Sequence, residues 1–223
     1  MAQAKGGTNW FAIIIATVTV VALVGVGALV VMLNNQASAP GVAPVAANIN
    51  TETGAITFGD GPTTVSTYVD FGCPHCAEFE AAFGELLSEG ADANTITLEV
   101  HPVAIMNLQY QGTNFSSRTG GALYCVAEYA PEQTLAFMNT LFANQPDTRG
   151  FTNEQIISYA DKVGASAASD CIADATYADF VDDMTPNLPT DPATGRGGTP
   201  TILIDGEYTD LNTVTARLAE ILG

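Results

Sequence analysis

The sequence has few charged residues, and almost none of them are basic. Only 13% of its 223 residues are charged, with 6 Lys and Arg against 24 Asp and Glu, so the formal net charge is −18 at pH 7. Such an acidic chain is repelled by phosphate backbones, so we expect it not to bind nucleic acid. Four cysteines are too few for a disulfide-built scaffold. With 47% hydrophobic residues, the chain has enough apolar content for one folded domain with an appendage.

Lys5 is the only charged side chain before Glu52, and a long apolar run lies between these two residues. A helix from Phe11 to Leu33 would be about 34 Å long, enough to cross a bilayer core of about 30 Å. Trp10 stands at the edge of this run, where an aromatic ring prefers the membrane interface. The sequence therefore predicts a short cytoplasmic N-terminus at 1–10 and a transmembrane signal anchor at 11–33.

A cleaved signal peptide is the alternative interpretation of this segment. Ala37-Ser38-Ala39 has the small residues of a cleavage site, but Pro40 follows it directly. The apolar run is also longer than the 7–15 residues that are usual in signal peptides. We therefore favour an uncleaved anchor, followed by a flexible tether at 34–51 that is rich in Ala and Pro. All 24 acidic residues then belong to an extracytoplasmic domain at 52–223.

Cys73 and Cys76 form a Cys-x-x-Cys motif where a strand is predicted to lead into a helix. Residues 64–71 are β-branched and aromatic, which favours a strand, and Pro74 suits the first turn of a helix. A helix N-terminus stabilises an anion, so we expect Cys73 to ionise readily and to be the attacked sulfur. His75 can add charge or a hydrogen-bond donor. Cys76, one turn further, is expected to be the more buried, resolving thiol.

Thiolate stabilisation favours the dithiol form and makes the disulfide a readier oxidant. Other roles of the Cys-x-x-Cys motif have less support from the sequence. Haem attachment requires His after the second cysteine, where this chain has Ala77. A zinc site needs further nearby ligands, but Cys125, Cys171 and His101 are isolated in the sequence. An inert bridge across two residues at a helix start would be strained and labile.

The hexapeptide at 71–76, Phe-Gly-Cys-Pro-His-Cys, resembles the active site of the DsbA-like thiol–disulfide oxidoreductases of the thioredoxin superfamily. A second segment, Gly-Gly-Thr-Pro-Thr at 197–201, resembles the cis-proline loop of that family, and an apolar strand follows it at 202–206. The resemblance covers roughly 52–223. It implies an α/β, thioredoxin-like fold with an inserted helical domain at about 107–189, and it requires no organic or metal cofactor. No separate dimerisation segment is evident, so we expect a monomer.

A cis peptide at Thr199–Pro200 would place a residue without an N–H group beside the thiols. The backbone of Thr199 would then be free to pair with an extended substrate by strand addition. An ordinary trans proline at the start of a strand is the alternative.

Cys125 and Cys171 both lie in the predicted helical insertion, where we expect them to form a structural disulfide between two helices. Closing a loop of about 47 residues would stabilise the fold by roughly 4 kcal/mol. A second redox pair and two free thiols remain alternatives.

One departure from the related proteins concerns a buried acid, which they often place six residues before the attacked cysteine. This chain has Thr67 at that position, and Glu99 on a predicted strand is one alternative. The residue that takes this role is left open.

Together these features predict a membrane-tethered extracytoplasmic thiol:disulfide oxidase. Its expected partners are unfolded or reduced exported polypeptides. The resemblance also implies a quinone-linked membrane reoxidant, either DsbB-like or similar to vitamin-K-epoxide reductase (VKOR-like). A reductase or isomerase of the same fold is the first alternative, and a non-catalytic, surface-anchored peptide-binding or chaperone module is the second.

Overall fold

The computed structural model describes residues 9–37 and 40–223, with the side chains at 12 and 33–37 outside this description. The chain divides into two units, one ending at Pro40 and the other comprising Gly41–Gly223.

The first unit contains helix α1 (Trp10–Ala37). Its stretch Ile13–Met32 has a mean hydropathy of 2.8 and is long enough to cross a membrane. The helix could therefore be the signal anchor predicted at 11–33. Predictions that concern residues 1–8, Ser38 and Ala39 lie outside the described residues.

The second unit is built on a six-stranded mixed sheet in the order β1-β2-β4-β3-β5-β6. The strands are β1 (Ile49–Asn50), β2 (Ala55–Phe58), β3 (Thr63–Val69), β4 (Ile96–Pro102), β5 (Thr201–Ile204) and β6 (Glu207–Thr209). Among these six, β3 and β4 pair in parallel and all other neighbours pair antiparallel. A parallel pair requires a crossover connection, which here contains the helix that follows the cysteine motif.

The helices of this unit agree with the predicted α/β fold, because most of them lie between β4 and β5, where the insertion was expected. They are α2 (Pro74–Asp92), α3 (Phe115–Tyr129), α4 (Thr134–Ala143), α5 (Asn153–Lys162), α6 (Ser169–Ala173), α7 (Ala178–Met184) and α8 (Leu211–Leu222). Short 3₁₀ segments lie at 107–110, 131–133, 166–168 and 185–187.

The core lies between the sheet and its helices. Val65 and Val69 of β3 alternate with more polar residues, and Leu98 and Val100 of β4 lie beside them in the parallel register. All four are buried in the same apolar cluster as Phe79 of α2. The apolar face of the strands, which repeats every two residues, therefore packs in one core with the apolar face of α2.

The predicted disulfide between Cys125 and Cys171 is present and joins α3 to α6, with 5.8 Å between the Cα atoms. Next to it, the buried Tyr124 donates a hydrogen bond to the carbonyl oxygen of Gly54 at 2.5 Å, which ties the insertion to the sheet. Helix α6 has only five residues, too few to show a helical period in the sequence.

Residues 41–48, which lead into β1, belong to the second unit and are hydrogen-bonded within it, whereas the sequence predicted a flexible tether over 34–51. The backbone N–H of Gly41 donates to the carboxylate of Asp183 at 2.6 Å, and that of Val45 donates to Glu128 at 2.9 Å. These contacts use backbone amides, which any sequence possesses. Side-chain composition therefore carried no signal for them.

Candidate active site

The cysteine motif lies where β3 ends and α2 begins. Cys73 is the N-cap of α2 and has extended backbone angles, and Pro74 occupies the first helical position, where a missing N–H costs nothing. The carbonyl oxygen of Cys73 accepts hydrogen bonds from the N–H groups of Cys76 at 3.1 Å and Ala77 at 3.3 Å. The Cys73 side chain therefore stands at the positive end of the α2 dipole.

The two thiols are free and have opposite acidities. A hydrogen bond from the Cys76 thiol, with help from Thr199 and from the backbone of Cys76 and His75, lowers the pKa of Cys73 to about 5 although burial opposes ionisation. Burial, followed by the proximity of Cys73, raises the pKa of Cys76. Cys76 is fully buried, whereas Cys73 is 5% exposed. At neutral pH the pair therefore holds one thiolate and one thiol.

The loop before β5 reaches the thiols, as the sequence predicted. The Thr199–Pro200 peptide is cis, and the Cys73 thiol donates to the Thr199 carbonyl oxygen with 3.2 Å between the two atoms. The hydroxyl oxygen of Thr199 is buried and has no hydrogen-bond partner among the residues that the structure describes. It is therefore free to donate to the sulfur once Cys73 has lost its proton.

His75 lies beside the pair, but its ring does not bond to the sulfur. The side chain is 75% exposed, and its Nδ1 atom lies 3.0 Å from Oε2 of Glu78. Glu78, and to a smaller degree the charge on Cys73, raises the pKa of His75. The raised pKa favours the protonated ring more than in a free histidine, while the backbone of His75 supplies a hydrogen bond to Cys73.

Asp70 is a buried acid beside the thiols that sequence reasoning missed. Its Oδ1 atom accepts from Gly72 N at 2.7 Å and from Ser116 Oγ at 2.6 Å, and its Oδ2 atom accepts from Met106 N at 2.9 Å. Burial raises its pKa to about 6, and the charge on Cys73 contributes in the same direction. The available signal was an acidic residue between apolar residues at the end of a predicted strand.

The two positions considered for the buried acid have other contacts. Thr67 is buried, and its hydroxyl lies 3.4 Å from the carbonyl oxygen of Glu99. The Glu99 side chain accepts from Ser66 at 2.7 Å and lies 3.7 Å from Nε2 of His101. Its pKa is lowered, first by His101 and then by Ser66. Glu99 is thus held by groups other than the cysteines, and Asp70 is the acid in contact with the active-site turn.

The helical insertion holds the turn that carries Cys73. The side-chain amide of Gln145 donates to the carbonyl oxygens of Phe71 and Cys73, both at 2.9 Å. The Tyr110 hydroxyl donates to the carbonyl oxygen of Gly72 at 3.1 Å. Three successive carbonyl groups are thereby fixed by side chains that no motif indicated.

In the part of the chain that the structure describes, no three His, Cys, Asp or Glu side chains are grouped so that they could hold a metal ion. The chemistry that the geometry supports is thiol–disulfide exchange. It combines a thiolate on one sulfur, a protonated thiol on the other and a free backbone edge beside them.

Comparison with known proteins points to the same chemistry. The family model described as thioredoxin (Thioredoxin_4) matches residues 53–222. Oxidised DsbA from Mycobacterium tuberculosis is 29% identical, with a TM-score of 0.63 over 76% of this chain and 93% of that chain. Reduced disulfide bond oxidoreductase DsbG from the same organism is 28% identical, with a TM-score of 0.61 over 85% and 91%.

MdbA, a thiol-disulfide oxidoreductase from Actinomyces oris, is 24% identical, with a TM-score of 0.61 over 83% of this chain and 95% of that chain, and shares the fold. No curated protein matches the sequence significantly.

Proposed function

Because the chain belongs to the thioredoxin family as a DsbA-like thiol–disulfide oxidoreductase, we propose that it is an oxidase that introduces disulfide bonds into exported polypeptides. The observation that supports this direction is the lowered pKa of Cys73, about 5. A stabilised thiolate favours the dithiol form of the pair, so its disulfide is readily passed to a substrate.

In the proposed cycle a substrate thiolate attacks Cys73 of the Cys73–Cys76 disulfide. A mixed disulfide forms, and Cys76 leaves and takes up a proton, which its raised pKa favours. The second thiolate of the substrate then attacks the substrate sulfur of the mixed disulfide, and Cys73 leaves as a stable thiolate. The substrate loses two electrons to form its disulfide, and the enzyme gains them as a dithiol.

The proposed substrate contact is the backbone of Thr199, next to Pro200. Its carbonyl oxygen lies beside Cys73 Sγ, and the cis peptide places a residue without an N–H group after it. An extended substrate could pair with this edge, with its cysteine directed at Cys73.

We further propose that α1 anchors the protein in the membrane with the second unit on the extracytoplasmic side. The Cys125–Cys171 disulfide supports this location, because such bonds persist in oxidising compartments. A quinone-linked membrane partner, DsbB-like or VKOR-like, would then return the Cys73–Cys76 pair to the disulfide.

The proposal is tested by equilibrating the full-length chain, kept in solution by a nonionic detergent, with glutathione buffers. An oxidising couple supports the oxidase, whereas a couple as reducing as an ordinary structural disulfide would assign the reductase direction. In cells, Cys76→Ser should accumulate mixed disulfides through Cys73, and the double variant Cys73→Ser/Cys76→Ser is the control. Absence of mixed disulfides in the single variant would contradict the order of attack.

A further inference from the structure

A cavity of about 520 Å³ lies between α2 and α4, beside the active site. Its lining residues come from these two helices and include Ala77, Glu78, Glu80, Glu85, Asn139 and Phe142. One end is near the thiols, since Ala77 directly follows Cys76. Phe142 also stacks on Phe71 of the active-site turn, with 4.7 Å between ring centroids. A group in this cavity would thus lie alongside a substrate bound at Cys73.

Glu80 is a buried acid in this cavity that the reaction does not use. The side chain is only 9% exposed, and the described residues provide no hydrogen bond to its carboxyl group. The carboxyl lies over Gly84, where any Cβ atom would overlap Oε1. Burial raises its pKa to about 7. No donor from the described residues stabilises the charge of this acid.

Asn139 also lines the cavity and contributes a second acceptor. Oδ1 of Asn139 is buried and receives no hydrogen bond from any described residue. Glu85 and Glu78 also line the cavity, although Glu78 pairs with His75 at 3.0 Å, and Lys, Arg and His are absent from the described lining. Alanine side chains and the ring of Phe142 supply apolar walls. The cavity therefore combines unpaired acceptors and negative charge with an apolar surface.

We propose that this cavity binds the side chain of a Lys or Arg residue of the polypeptide substrate. An ammonium or guanidinium group supplies the donors that Glu80 and Asn139 lack, and its aliphatic stem suits the apolar walls. Buried acceptors are normally paired, so a cationic donor completes the site. This inference rests on the proposed function, since it assigns a subsite for substrates of that reaction.

The position of Glu80 sets the spacing between the substrate cysteine and the cation. Seven residues separate Glu80 from Cys73 along α2, which corresponds to about 10 Å at 1.5 Å per residue. An extended peptide spans that distance in about three residues. The preferred substrate therefore has Lys or Arg about three residues from its cysteine.

The test compares dithiol peptides of one length that differ only at that position, which is Lys, norleucine or Glu. Norleucine retains the aliphatic stem and removes the charge. The disulfide form of the full-length chain in nonionic detergent is expected to oxidise the Lys peptide with a kcat/KM about tenfold above that for the norleucine peptide, as for a charged hydrogen bond of about 1.4 kcal/mol.

The decisive variant is Glu80→Gln, which keeps the shape and removes the charge. The matched control is Glu89→Gln, which changes an exposed residue of the same helix outside the cavity and alters the net charge equally. The Lys preference should disappear in Glu80→Gln and persist in Glu89→Gln, while Glu89→Gln oxidises the norleucine peptide at the unaltered rate.

If Glu80→Gln and Glu89→Gln showed the same preference for the Lys peptide, the overall negative charge of the protein would account for that preference. This result would overturn the proposed subsite. The absence of a Lys preference in the unaltered chain would overturn it as well. Failure of every peptide to be oxidised would instead contradict the proposed oxidase. A separate readout is the pKa of Glu80, followed by carboxyl NMR, which should fall when the Lys peptide is added and not when the norleucine peptide is added.

Discussion

Lowering the pH of the reduced chain should remove the free energy that favours the Cys73 thiolate. The pKa of this thiol is lowered from an ordinary value of 9.0 to about 5. At pH 7 the advantage over an ordinary thiol equals about two pKa units, or about 2.7 kcal/mol at 1.36 kcal/mol per unit. Since about 1.4 kcal/mol corresponds to about 30 mV for two electrons, the thiolate raises the reduction potential by about 60 mV.

The sign of the pH dependence follows from the direction of the shift. A depressed pKa in the folded state stabilises the reduced fold fully above about pH 9, and this stabilisation is lost as the pH falls through about 5. The disulfide form has no Cys73 thiol to ionise. The difference in unfolding free energy between the reduced and the oxidised chain should therefore shrink by about 2.7 kcal/mol between pH 7 and about pH 4.

Two assays measure this effect on the full-length chain in nonionic detergent. Ultraviolet absorbance of the thiolate, corrected with the variant Cys73→Ala, should show a midpoint near pH 5. Urea unfolding of both redox forms at several pH values should show the converging stabilities. A thiolate midpoint above pH 8, or a stability difference that is independent of pH, would refute the reasoning.

Three further predictions concern residues that support the site. In the oxidised form, the unfolding free energy of Asp70→Asn should rise relative to that of the unaltered chain by about 3 kcal/mol between pH 3 and pH 7, because the raised pKa of Asp70, about 6, means that the fold disfavours its charged form. If urea unfolding gave a difference that does not change with pH, this prediction would be contradicted. Gln145→Met removes two hydrogen bonds from the active-site turn, so it should lower the unfolding free energy by about 2 kcal/mol and raise the midpoint pH at which the Cys73 thiolate forms. An unchanged midpoint would show that the turn keeps its conformation without the Gln145 side chain. Replacing both Cys125 and Cys171 by Ala should cost about 4 kcal/mol and leave the reduction potential of the active pair unchanged, whereas a shifted potential would indicate electron exchange between the two pairs.

Several elements of the site could be predicted because their causes are local. Cys73 lies between a strand and Pro74, the residue that starts a helix. Its position at the helix N-terminus therefore follows from neighbouring residues. The burial of Cys76 one turn later follows from the same helix. The loop at Thr199–Pro200 was recognisable because residues 197–201 resemble the cis-proline loop of the family, and proline makes a cis peptide accessible.

Other parts of the site depend on residues that are distant in the sequence. Asp70 became a buried acid because Ser116 and Met106, 46 and 36 residues away, close over it. Gln145 acts on the active-site turn from more than 70 residues away, through an amide that has no sequence motif. The segment before β1 is held by backbone N–H groups, which composition does not reveal.

The sequence by itself indicated the apolar N-terminal helix, the redox motif and the expected Cys125–Cys171 bridge, because composition and short motifs express local physical preferences. The α/β class was implied by the resemblance of two of its segments to a known family. Only the tertiary structure decided which acid accompanies the thiols, what holds their turn and where unpaired acceptors meet between α2 and α4. Burial and hydrogen-bond geometry depend on distances between elements, and those distances exist only once the helical insertion packs against the sheet.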